Sequence, residues 1–214
     1  MTVTISRLYD TYAAAAEAVR SLEAGGVPHS DISIVSNNAD NWYSTTSATT
    51  QAPRIGIVDR DRDGRDDRAE GAETGAGIGA TAGGIVGLLT GLGLLAIPGV
   101  GPVVAAGWLA ATAAGAAAGG AAGGILGALT QAGTSEEDAR VYAEGVRRGG
   151  TLVSARVPDA DRPRLEATLD RSAVNIGERG AAWRQSGWQT FDPNAAPYSA
   201  DQVRKDRDLY GNRR

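Results

Sequence analysis

Glycine recurs at every fourth position in two neighbouring stretches of this chain, and the pattern limits what those stretches can become. The first run is Gly75, Gly79, Gly83, Gly87 and Gly91, and the second is Gly107, Ala111, Gly115, Gly119, Gly123 and Gly127. Residues four apart share one helix face, so each run marks a groove along which another backbone can approach closely. Each helical glycine costs roughly 0.8–1 kcal/mol relative to alanine, a cost that only close packing offsets. Between Glu73 and Glu136 no residue carries a charge.

These features predict a helical hairpin over residues 74–134, with helices at 75–97 and 103–131. The turn Ile97-Pro98-Gly99-Val100-Gly101-Pro102 would join them. At 1.5 Å per residue the helices would be about 35 and 43 Å long, enough to cross a hydrocarbon layer. Insertion in a membrane and burial in a soluble oligomer are both open, and in either case the glycine faces are the expected contacts between copies.

The flanks read as an αβ domain. Alternation in 2–9 predicts a strand, followed by a helix over 11–24 entered through Asp10 and stopped by Gly25-Gly26. A second strand is expected at 31–36, which completes the first half of the domain, 1–36. Residues 37–73 are a polar linker. In the second half, 135–180, Ser135-Glu136-Glu137-Asp138 resembles a capping box with Asp in place of Glu and opens a helix to Arg148. A strand at 151–157, a helix at 159–172 with Leu165 and Leu169 inward, and a short strand at 174–176 follow. The expected fold is α+β, a split ferredoxin-like sandwich interrupted by the glycine-rich hairpin. Two halves contributing strands to one sheet must lie on the same side of any membrane. Residues 181–214 read as a polar tail containing Trp183, Trp188 and Phe191.

One motif inside the linker has chemistry attached. Asp59, Asp61, Asp63, Gly64 and Glu70 match D-x-D-x-D-G-x5-E, the spacing that wraps oxygens around calcium. Arg65 would offer its backbone carbonyl, and Asp67 would act directly or through water. Asp66 stands where such loops place an apolar residue, and four arginines oppose a cation. The alternative is a solvated charged collar beside the apolar segment.

Other chemistry is missing. The chain has no cysteine, one histidine (His29, in a turn) and a net charge of −4. That leaves no thiolate site, no ordinary nucleophile–base pair and no basic field for nucleic acid. The glycine-rich stretches contain no lysine, which excludes a phosphate-binding P-loop there. No positively charged segment with an apolar core follows Met1, so no signal peptide is expected. The expected protein is not an enzyme and needs no cofactor, calcium excepted.

The order TVTISRLYD, AVRSLEAGGVP and DISIVSNN, then EGAETGAGIGA, GLGLLAIPGVGPVVAAGWLA and GGILGAL, then SEEDARVYAEGVRRGGTLVSARV resembles the bacterial general stress (heat-induced stress) proteins. The resemblance covers residues 1 to about 180. It implies a stress-induced, non-enzymatic protein. The glycine runs add the expectation that it associates with itself, at or in a membrane with its polar parts facing the cytoplasm, or otherwise as a soluble homo-oligomer in the cytoplasm; a calcium-responsive binding module is a further alternative. Neither the acidic loop nor the aromatic tail is carried over from it.

Overall fold

A computed structural model describes residues 1–39, 43, 93–97, 100–118 and 124–210. Alternation in strand β1 (Thr2–Tyr9) sends Ile5 and Tyr9 to one face and Leu8 to the other. Helix α1 (Tyr12–Ala24) follows, and its N-cap is Thr11, whose hydroxyl accepts from the Ala14 amide at 3.2 Å. Asp10, expected as the cap, instead binds Arg179 at 2.9 Å. After a 3-10 turn at His29–Asp31 comes β2 (Ile32–Asn37), buried along its whole length.

The next described elements correct the helical hairpin. Residues expected to end one helix and begin another form strands, β3 (Gly93–Ile97) and β4 (Gly101–Ala106). A short apolar run such as GPVVAA does not separate strand from helix by periodicity. Here Val103 and Val104 sit in a sheet covered on both faces, and both are fully buried. Gly107 ends β4 at φ +89°, and a Cβ there would lie 2.3 Å from the Ile32 carbonyl oxygen. Only glycine fits a backbone passing that close, so the chain turns away before entering helix α2 (Trp108–Ala118). Helix α3 (Gly124–Gln131) packs on α2.

Helix α4 (Glu136–Arg147) begins as its sequence implies. The Ser135 hydroxyl accepts from the Asp138 amide at 3.1 Å and donates to the Asp138 carboxylate at 2.8 Å. Strand β5 (Thr151–Pro158), a 3-10 turn at Asp159–Asp161 and helix α5 (Arg162–Leu169) then complete the expected order, with Leu165 and Leu169 buried. The expected strand at 174–176 does not form. Its remnant is one bond, from the Val174 amide to the Leu8 carbonyl at 2.8 Å. Asn175 instead caps helix α6 (Ile176–Gln185), accepting from the amides of Gly177 and Glu178. The polar tail is likewise ordered, with a last helix α7 (Ala200–Tyr210).

The chain is α+β around one five-stranded antiparallel sheet in the order β1-β5-β2-β4-β3. β5 lies between β1 and β2, so the two flanks share one sheet as expected. On the side of β2 the sheet grows by β4 and β3 rather than ending. Both β2 and β3 run antiparallel to β4 and so parallel to each other.

Antiparallel sheets often leave one face in water; this one is covered on both. Ile5, Ile32, Ile34, Val153 and Ala155 meet α1 and α5 on one face. Leu8, Val35, Val103, Ala105 and Leu152 meet α2, α3 and α4 on the other. Each fully buried Ile, Leu or Val is worth about 1.5–3 kcal/mol, so both layers are needed to offset chain entropy. Polar strand positions are buried by the second layer and satisfied within it. The hydroxyls of Ser6 and Ser154 meet at 2.8 Å, and Ser33 donates to the Ala106 carbonyl at 2.7 Å.

No helix among the described residues is long and apolar enough to cross a membrane. The described residues of the turn expected to lie in or across a bilayer are tied to the sheet. Ile97 and Val100 are buried, and the Asn38 amide donates to the Pro102 carbonyl at 2.8 Å.

Candidate functional site

The sequence-derived sites divide according to where they fall. Asp59, Asp61, Asp63, Arg65, Asp67 and Glu70 lie outside the described residues, as do Gly75, Gly79, Gly83, Gly87, Gly91, Gly119 and Gly123. Among the described residues no group of three His, Asp or Glu side chains is placed to hold a metal ion. Of the second glycine run, Gly107 is exposed, with its backbone passing close against Ile32 and Ser33. Ala111 is exposed on α2, Gly115 lies further along that helix, and Gly127 is half-buried on α3. The described members of the second run are thus divided between a strand end and two helices, with Gly107 outside helix α2.

The structure assembles a polar cluster that motif reading did not single out, where α4 ends and the tail returns. Glu144 is completely buried and receives two arginines from its own helix end, Arg148 at 2.6 Å and Arg147 at 3.4 Å. Arg148 also reaches Asp206 of α7 at 2.9 Å. Its guanidinium stacks over Trp183 at 4.7 Å and Tyr198 at 5.4 Å. Burial works against the charge on Arg148, but Glu144 and then Asp206 outweigh it and hold the group above the usual arginine value. Burial pushes the Asp206 carboxyl up, and Arg148 only partly reverses this. The two partners shift unevenly for a physical reason. Glu144 already neutralises Arg148, so Asp206 enters as a second, incompletely compensated carboxylate.

A second ion pair, Arg179 to Asp10 at 2.9 Å, ties α6 to the end of β1, and Arg179 also donates to the Tyr210 carbonyl at 3.1 Å. Trp183 is 1% exposed and makes edge contacts with Trp188 and Tyr210. Large aromatics in an otherwise polar stretch were the available sequence signal. Such side chains rarely stay in water when a core can take them.

Two open grooves flank this cluster. One, of about 370 Å³, is lined by Glu136, Glu137, Arg140, Arg184, Trp188 and Thr190. Its charges pair across it, Arg184 with Glu137 at 2.8 Å and Arg140 with Glu136 at 2.5 Å. The other, of about 360 Å³, lies beside Asp10, Asn175, Glu178, Arg179 and Tyr210. In both, the arginines are engaged in ion pairs, so the arrangement serves cohesion between elements more than acid–base chemistry. His29 sits half-buried in its 3-10 turn, remote in sequence from this cluster. No protein-family model, curated protein or solved structure matches this chain.

Proposed function

We propose that this chain is a non-enzymatic, self-associating structural protein of the bacterial general stress type. A rigid αβ body carries the first glycine run, Gly75 to Gly91, as the element that joins copies. The observation that carries this reading is the division of the described members of the second run, of which Gly107 lies against the backbone of Ile32 and Ser33 and Gly127 is half-buried on α3. The first run keeps its uninterrupted four-residue spacing in the connection between β2 and β3, with no charge to oppose close approach. The unit β1–α1–β2 enclosing β5 is read as half of a split ferredoxin-like sandwich, with β4 and β3 replacing the missing strand.

A soluble homo-oligomer in the cytoplasm is favoured over hairpin insertion. Strands β3 and β4, on either side of the apolar turn, are committed to the sheet, and a bilayer could not take them without dismantling it. Sedimentation velocity of the full chain tests the reading. Replacing Gly83 and Gly87 by Leu should lower the weight-average sedimentation coefficient while circular dichroism stays that of the folded body. An unchanged coefficient would show that the first run is not the contact. Flotation of the wild type with lipid vesicles would reinstate the membrane reading.

A further inference from the structure

Four separate parts of the chain close around a small cavity within the polar cluster. Asp10 after β1, Arg148 at the end of α4, Arg179 and Trp183 of α6, and Asp206 and Arg207 of α7 line it. Its volume is about 10 Å³, room for a single water-sized guest, so polyatomic anions and organic ligands do not fit. Trp183 is 1% exposed, and its indole Nε1 is buried with no hydrogen-bond partner among the described residues. The ring is fixed in place, with Arg148 stacked over it at 4.7 Å and with edge contacts to Trp188 and Tyr210. Buried donors are rarely left unmet in folded proteins, so this one beside a cavity calls for a guest that accepts.

The charges around the cavity narrow the choice of guest. Guanidinium and indole groups donate and never accept. Both lining carboxylates are already engaged by arginines. Asp10 takes Arg179 through its two oxygens at 2.9 and 3.3 Å, and Asp206 takes Arg148 at 2.9 Å. Glu144, next to the cavity, is itself held by Arg147 and Arg148. The described lining, with three arginines against two aspartates, is thus rich in donors and positive in balance. A water would bring two further donors into such a site, whereas a monatomic anion only accepts. We propose that the cavity binds one chloride ion, which accepts from the Trp183 indole and fastens α7 to α6 and to the end of α4. The proposal concerns cohesion within one copy and is independent of the glycine run.

The test is urea unfolding of the full chain, followed by circular dichroism, with sodium chloride replacing sodium gluconate at constant ionic strength. A ligand that binds only the folded state should raise the urea midpoint steadily with the logarithm of chloride concentration above its dissociation constant. Trp183→Phe keeps a ring for Arg148 to stack on and removes the N–H, so it should lose that rise. Trp188→Phe should keep it, because the Trp188 indole nitrogen is likewise buried without a partner among the described residues but its side chain lines the neighbouring open groove. No rise in the wild type overturns the proposal and leaves water as the guest. An equal rise in Trp183→Phe overturns it as well, since the salt effect then lies elsewhere. Should Trp183→Phe unfold, crystals of the wild type soaked in bromide decide. An anomalous peak within hydrogen-bond distance of Trp183 Nε1 is the expected result, and its absence there refutes the site. None of these outcomes bears on the sedimentation test of the glycine run.

Discussion

Replacing Tyr142 by Phe should lower stability at neutral pH and cease to do so in strong alkali. The Tyr142 hydroxyl is buried and donates to the Ser6 carbonyl at 2.6 Å, linking α4 to β1. That carbonyl also accepts from Arg7 at 2.9 Å, so removing the hydroxyl orphans no acceptor. The loss should be that of one hydrogen bond, about 1 kcal/mol. Burial pushes the phenol up to about 12, against a nearby Arg7 that pulls it down. A raised folded value means the folded state holds its proton while the unfolded chain releases it. The contribution is therefore complete below the unfolded value of about 10 and is lost as pH rises from there through about 12. One unit into that window, near pH 11, the wild type has lost about 1.4 kcal/mol from this group, which cancels the hydrogen bond. Urea unfolding followed by circular dichroism at pH 7 and near pH 11 should show the two stability curves meet or cross. Tyr9 is also raised by burial, but it titrates in both proteins and drops out of the difference. Curves that stay parallel from neutral to alkaline pH would refute the assignment of a protonated, buried donor.

Glu144→Gln should be among the most damaging polar substitutions, because it strips the fully buried partner from two arginines that are themselves only 11% and 13% exposed. Breaking such a pair costs about 3–5 kcal/mol, read as a large fall in urea midpoint, while an exposed pair such as Arg204–Asp201 should be nearly neutral when broken. Calcium should bind the loop Asp59–Glu70 weakly, with a dissociation constant on the order of 10⁻⁵ to 10⁻³ M. Asp59→Ala or Glu70→Ala should abolish the calorimetric signal, and a flat titration of the wild type at millimolar calcium would leave the charged-collar reading.

Local chemistry determined much of this protein without help from distant residues. Alternation in TVTISRLY, the serine cap at 135, the double-glycine stops after α1 and α4, and the inward pair Leu165 and Leu169 all follow from short-range rules, and the structure places them accordingly. These signals are legible because cap, turn and period act within a few residues. The tertiary structure decided what those rules leave degenerate. GPVVAA is apolar in either helix or sheet, and it became a strand because β2 offered an edge to pair with and the layer of α2–α4 took up Val103 and Ala105. Gly107 fits a helical four-residue spacing, yet its place is set by the passing backbone of Ile32 and Ser33. Val174 and its neighbours could have completed a fourth strand, but Asn175 found the open amides of α6 instead. The cluster of Glu144, Arg148 and Asp206 joins residues far apart in the chain. No local spacing encodes it, because a buried charge is tolerable only where the whole fold delivers its partners.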